Sequence, residues 1–295
     1  MSRRTIRILR ESFAPRAVFD TAVSRALLGQ VARGRAPESL RLYSPGEVLA
    51  FSLLDRRQPG FAAALEHVRK RSFEPVLRLT GGRAAAFHRA TLGFGWCIPI
   101  PDARAGIHER FDEIGSIIQA TLTRLGVDAR VGEVPGEYCP GDHSVNARGL
   151  RKLMGVGQRV VLGAAYVGGV LVVSDAERVR EILQPVYRAL DTPFDPSTVG
   201  SIAEEIGEIS LEEVAAALLE ELSRRYELAS GAFDAPTLRL AGELEGRHRA
   251  DAPKAPLAAG PAAGSTPSAK GVASARASAD ATSRVRGCRR APRSR

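Results

Sequence analysis

Two residues near the middle of the chain could do covalent chemistry. Cys139 sits in the turn-rich stretch EYCPGD, and Lys152 follows thirteen positions later in RKLMGVG, just ahead of Gly155 and Gly157. A free thiol has a pKa of roughly 8.5, and a nearby cation lowers it and raises the thiolate fraction. Acyl transfer needs such a thiolate and donors for the oxyanion that forms. Glycines beside the lysine would let backbone lie against a substrate. Taken singly, each residue has a plainer account. A lone cysteine is more often a small buried hydrophobe, and a lysine is usually a solvated charge.

A second group lies upstream in VLRLTGGRAAAFH. A strand-like run leads into Gly81 and Gly82, which permit close backbone approach and conformations barred to other residues. Arg78 and Arg83 could grip an anion or a carboxyl group, and His88 closes the segment. A β-turn with exposed arginines and a structural histidine would account for the same residues.

The elements that must position these groups are legible in the hydrophobic pattern. TIRILRESF reads as an edge strand, and FDTAVSRALLGQVARG as an amphipathic helix stopped by Gly34. SLRLYS, EVLAFSLL, PVLRLTGG and LGFGWCIPIP are strand candidates, and GFAAALEHVRKRS is a helix. Ile107, Phe111, Ile114, Ile118, Leu122 and Leu125 repeat at helical spacing. QRVVLGAAYVGGVLVV, nearly all apolar, reads as a central strand pair. Ser174 with Glu177 and Ser210 with Glu213 predict capping boxes for two further helices. Strands and helices mix without βαβ alternation, which implies a single α+β, mixed-sheet domain over residues 1–232.

Composition bounds the function. The net charge of +9 resides entirely in the last 49 residues, which carry 11 Lys or Arg and two acids. That Ala-, Pro-, Ser- and Arg-rich stretch, 247–295, lacks the apolar residues to offset ordering and is expected to be disordered. The body is neutral, so neither nucleic acid nor a membrane surface is an expected partner. Three widely spaced cysteines give neither a disulfide framework nor a zinc signature, and no metal site is expected. There is no run of eighteen apolar residues, and MSRRTIRILRESFAPRA has no apolar stretch after its basic residues and is not expected to act as a secretory signal, so a reducing cytoplasm is the simplest expected compartment.

Taken together, the two segments resemble the lipoate–protein ligase and octanoyltransferase family. RLTGGRAAAFH is similar to its R-R-x-[ST]-G-G-G-x-V-x-H signature, and RKLMGVGQR to its G-x-K-x-x-G-x-x-Q-R segment; the likeness runs from about Ala17 to about Leu222. YCPG before the lysine resembles the cysteine-dependent octanoyl and lipoyl amidotransferases. The family fold is the α+β, mixed-sheet catalytic domain shared with biotin protein ligases. The resemblance implies that Cys139 takes the acyl group as a thioester while Lys152 positions the carbonyl and favours the thiolate. Arg78, Gly81, Gly82 and His88 would line one wall of the acyl tunnel, and Gly155 and Gln158 the other. The donor would be acyl carrier protein or an acylated glycine-cleavage H-type protein, the acceptor a lipoyl-domain lysine, and no cofactor would be required. Leu77 replaces the first arginine of the signature, and Ser144 stands where many members carry aspartate. The R-N-D triplet of ATP-using ligases is missing. The alternatives are an ATP-dependent ligase, using ATP, Mg and lipoate, and a non-catalytic acyl-binding relative.

Overall fold

The computed structural model describes residues 3–252. In chain order its elements are β1 (Thr5–Leu9), α1 (Ala17–Ala32), β2 (Ser39–Tyr43), β3 (Val48–Phe51), α2 (Phe61–Lys70), β4 (Glu74–Leu77), β5 (Ala85–Phe87) and β6 (Thr91–Pro99). There follow α3 (Ile107–Arg124), β7 (Ala129–Val131), β8 (Val145–Ala147), β9 (Arg151–Val161), β10 (Ala164–Val172), α4 (Ala176–Ala189) and α5 (Ile202–Ile206). The last are α6 (Leu211–Arg225), β11 (Glu227–Ser230) and α7 (Ala235–Leu244), with a 3-10 turn over Glu245–His248.

The main sheet has the order β11-β1-β2-β6-β10-β9-β8-β7, and a smaller one the order β4-β3-β5. Pairing is parallel at β1/β11, β1/β2 and β3/β4 and antiparallel elsewhere. The architecture is therefore α+β with mixed pairing, as expected, with the strands divided between two sheets. The apolar run after Lys152 becomes β9 and β10, the central antiparallel pair.

One face of the main sheet is conventional core. Leu40, Phe94, Trp96, Val167 and Leu171 pack under the apolar stripes of α3 and α6. The opposite face carries glycines in register: Gly157, Gly168 and Gly95 stand opposite one another across β9, β10 and β6. Missing side chains there leave a trench beneath α1 and the small sheet. The Tyr166 ring occupies part of it, because a Cβ on Gly168 would stand 2.5 Å from that ring.

Several local expectations are corrected. β1 is not an edge strand, since β11 pairs with its outer side. Ser174 does not cap α4; Asp175, at φ +54°, is the N-cap and makes no capping bond. Ser210 and Glu213 do form their box, and Ser201 with Glu204 forms another. The ordered body also passes residue 232. Asp234 accepts from the Thr237 N–H to start α7, whose Ala241 packs with Leu27, Leu28 and Val31 of α1. His248 is buried and Arg249 bridges Val76, so the first residues assigned to the tail belong to the body. The rest of the expected disordered tail, from residue 253, lies outside the described residues.

Candidate active site

Cys139 lies midway along the loop that joins β7 to β8, residues 132–144, which folds around a buried ion pair. Glu137 and Lys152 are both fully buried, with Lys152 Nζ 2.8 Å from Glu137 Oε1. Nζ also donates to the carbonyl oxygens of Tyr138, at 2.9 Å, and Cys139, at 2.8 Å. Glu137 in turn accepts from Ser144 Oγ at 2.6 Å, from the Gly141 N–H at 3.2 Å and from the Val134 N–H at 3.0 Å. A charge pair taken out of water holds only when its remaining hydrogen-bonding capacity is met, and here it is met by the loop itself. Lys152 thus lies on strand β9, and its three bonds go to the Glu137 carboxylate and to the backbone carbonyls of Tyr138 and Cys139.

The thiol is held from the other side by the glycine loop. Cys139 Sγ accepts from the Arg83 backbone N–H at 3.2 Å and from Arg78 Nη2 at 3.3 Å. The Cys139 N–H donates to Tyr187 Oη at 2.8 Å, and that hydroxyl donates to the Ala84 carbonyl at 2.8 Å. Cys139 itself adopts φ +44°, a left-handed conformation that is costly for a side-chain-bearing residue and is maintained by these bonds. Burial pushes the thiol's pKa up. The charges of Arg78 and Lys152, with the bonds from Arg78 and the Arg83 N–H, outweigh it, so the net shift is downward. By contrast, burial pushes the thiol of Cys97 far up.

Gly82 is required by this arrangement. At φ +92°, a Cβ there would lie 2.8 Å from Cys139 Sγ and closer still to Arg78. Arg78 Nη2 also donates to the Gly81 carbonyl, while its buried Nε has no hydrogen-bond partner among the described residues.

Two cavities meet at the thiol. Inward runs a channel walled by Val48, Val76, Ala85, Phe87 and Val170, with Gly155 and Gly168 on the sheet side. Arg78 and Cys139 line it, as do the polar side chains of Ser24, Tyr43 and Tyr166. Outward, Cys139 lines an open depression with Gly81, Gly82, Phe111, His143 and Gln158. The sulfur therefore stands where an apolar chain could enter from a surface-bound donor.

The structure brings Arg78, Gly81, Gly82, Cys139, Lys152 and Gly155 together and places two other residues apart from the channel. Gln158 lines the open depression, not the channel; its Oε1 accepts from Arg110 Nε at 2.6 Å and its Nε2 donates to the Ile107 carbonyl. His88 lines neither cavity. Alternation along β5 turns Ala85 and Phe87 toward the channel and sends Ala86 and His88 the other way. The His88 Nδ1 accepts from the Ala90 N–H at 3.2 Å, and burial lowers its pKa. Sequence reading missed Glu137 and the hydroxyl of Tyr187. The signal for Glu137 was available: a lysine deep in an apolar strand needs a counter-ion, and this acid lies two positions before the cysteine. No group of His, Cys, Asp and Glu among the described residues could hold a metal ion.

Residues 16–223 match the lipoyl protein ligase A/B catalytic domain. The chain belongs to that family. Over 201 residues it is 27% identical to the octanoyl-[GcvH]:protein N-octanoyltransferase of Oceanobacillus iheyensis, covering 65% of this chain and 71% of that protein. A protein of the same name from an Exiguobacterium species is 25% identical over 201 residues, with coverages of 65% and 69%. Among solved structures, lipoate-protein ligase A bound with ATP superposes with a TM-score of 0.66 at 20% identity, covering 83% of this chain and 94% of that one. A bipartite lipoate protein ligase from Thermoplasma acidophilum gives 0.63 at 20% identity, with coverages of 83% and 92%. These family structures share the mixed α/β fold described above.

Proposed function

We propose that this chain is an acyltransferase of protein lipoylation, carrying an octanoyl or lipoyl group from a donor protein to a lipoyl-domain lysine through a thioester on Cys139. The observation that carries the reading is the half-buried Cys139 sulfur, held by Arg78 and the Arg83 N–H at the junction of an apolar channel and an open depression. Its relatives named octanoyl-[GcvH]:protein N-octanoyltransferase support octanoyl as the group and a GcvH-type protein as the donor.

In the first half-reaction the thiolate attacks the donor's acyl carbonyl, and the carbonyl π electrons move onto oxygen. Arg78 Nε, the donor without a partner, would receive that oxyanion. Collapse expels the donor's thiol or amine, which takes a proton, and leaves the acyl group on sulfur. In the second half-reaction the neutral amine of the acceptor lysine attacks the thioester, the thiolate leaves, and the nitrogen releases a proton to solvent, replacing the one the donor's leaving group took up, as the amide forms. When the donor is itself an acyl-lysine, one amide replaces another and no ATP is consumed. Lys152 and Glu137 act through the backbone of Cys139, fixing its turn and supplying positive charge beside the sulfur. Free thiol chemistry suits a reducing cytoplasm, to which we assign the protein. No helix of the described residues is long and apolar enough to cross a membrane.

The test uses the octanoyl thioester of a small neutral thiol as donor, because thioester exchange is nearly balanced. Intact-protein mass spectrometry without ATP should show one octanoyl group on the wild type, released by adding a lipoyl domain and absent in Cys139→Ser. An unmodified wild type, or an adduct that persists in Cys139→Ser, would overturn the reading. Transfer that survives Cys139→Ser and requires free lipoate with ATP would replace it with the ligase alternative.

A further inference from the structure

A third cleft lies on the α1 side of the glycine loop, and its chemistry differs from both cavities at the thiol. Arg25, Arg78, Arg159 and Arg247 line it together with His248, and no carboxylate does. Arg78 bonds the Cys139 sulfur, and Arg25, Arg159 and Arg247 form no ion pair among the described residues. They face one another: Arg25 is held below its ordinary pKa by burial and then by the charges of Arg159 and Arg247. His248 is 1% exposed, and its Nδ1 bonds to the Leu77 carbonyl at 2.6 Å. Its Nε2 is also buried, yet has no partner. Like charges gathered in a cleft without an acid oppose folding, so this arrangement is not explained by stability.

Leu53 and Leu54 line the same cleft and are 59% and 50% exposed. Arginine beside exposed apolar side chains is the composition of a protein–protein contact, where apolar anchors and charge complementarity act together. A phosphate-bearing small molecule or a nucleic acid would leave the two leucines unmatched. The cleft is also continuous with the reaction centre. Arg78 lines it while bonding Cys139 Sγ at 3.3 Å, Thr80 is shared with the acyl channel, and Gly81 with the open depression.

We propose that this cleft docks the protein substrate, through a carboxylate-rich patch with an adjoining apolar side chain near its acylated lysine. The inference rests on the acyl-transfer reading above and adds the chemistry by which the partner is recognised. Arg25, Arg247 and Arg159 hold the carboxylates, Leu53 and Leu54 the apolar contact, and the bound patch sets the acyl-lysine over the thiol.

The experiment follows octanoyl transfer from an octanoylated GcvH-type protein to a lipoyl domain, with the full-length enzyme and its Arg25→Ala, Arg247→Ala and Leu53→Ser variants. Each should raise KM for the octanoylated protein about tenfold with kcat within about twofold, the pattern of lost docking rather than lost chemistry. Arg25→Lys should restore most of it, and the rate should fall less steeply with salt in Arg25→Ala than in wild type. Loading of Cys139 from the small neutral octanoyl thioester should be unchanged in all of them. Unchanged KM in both arginine variants overturns the proposal, and so does an equal loss of loading from the small thioester, which would mark the residues as structural. A wild type that loads from no donor would instead defeat the acyl-transfer reading itself, so the two failures are separable.

Discussion

Lys152 Nζ lies 2.8 Å from the carbonyl oxygen of Cys139, on the backbone of the residue whose sulfur it would activate. The lysine reaches that point only because Glu137, 2.8 Å away, neutralises it in a site closed to water. Removing one partner leaves the other charge buried and unpaired, a loss of about 3–5 kcal/mol. Lys152→Met and Glu137→Gln should each lower the denaturant midpoint by an amount of that order. The double variant should lose clearly less than the two single losses added, as expected for directly coupled sites. Additive losses would mean that the pair does not organise the loop.

How far this site was readable in advance follows from the range of each interaction. The stripe of α3, the β9/β10 pair and the Ser210–Glu213 box are local patterns along the chain, and all three are present, except that Ile107 at the head of the stripe is exposed. The second capping box failed because Asp175 takes a left-handed conformation that no spacing rule reveals. Glu137 and Tyr187 act across fifteen and 48 positions of chain. Tyr187 reads as one more apolar residue on the stripe of α4, and only the fold shows its hydroxyl beneath Cys139. His88 was misplaced by motif likeness, which fixes order along the chain but not the side of β5 on which a residue falls. The C-terminal residues of the body were missed because β11 is short and largely exposed, although Asp234 ahead of Pro236 is a readable helix start.

The guanidinium of Arg78 is the largest influence favouring the Cys139 thiolate. Because the native pKa is lowered, thiolate is populated at lower pH than in an ordinary cysteine, and half-maximal alkylation should move down accordingly. Arg78→Met removes both a charge and a hydrogen bond to sulfur, and should shift that midpoint up by about one pH unit or more. Iodoacetamide kinetics against pH would measure it in a Cys288→Ser background, with Cys97 silent because it is fully buried. An unmoved midpoint would show that Arg78 does not tune the thiol.

Two glycines can be tested for different kinds of crowding. Gly82→Ala would place a Cβ 2.8 Å from Cys139 Sγ at φ +92°, adding backbone strain of about 1–2 kcal/mol to the clash. Transfer should fall by about 100-fold or more while secondary structure is retained. Gly168→Ala would instead press on the Tyr166 ring inside the channel. Its alkylation rate at Cys139 should match wild type, while loading from an octanoyl thioester falls relative to loading from an acetyl thioester. Equal loading by both chains would mean that the channel does not hold the acyl group.

His248 gives the fold a defined weakness to acid. Burial, opposed by its bond to the Leu77 carbonyl and reinforced by Arg25, Arg159 and Arg247, lowers its pKa to about 4. In the unfolded chain a histidine titrates near 6.5. Between those values the unfolded state binds a proton that the folded state does not, so stability falls as pH drops through that window and is unaffected by this group above it. The full cost, about 3 kcal/mol, is reached only below pH 4. His248→Gln keeps a polar side chain of similar size but removes the titration. Guanidinium unfolding at pH 7 and pH 4.5 should therefore show a smaller difference for the variant than for wild type, by about 2–3 kcal/mol. Equal differences would mean that His248 is protonated in the folded protein, with Nε2 supplied with an acceptor.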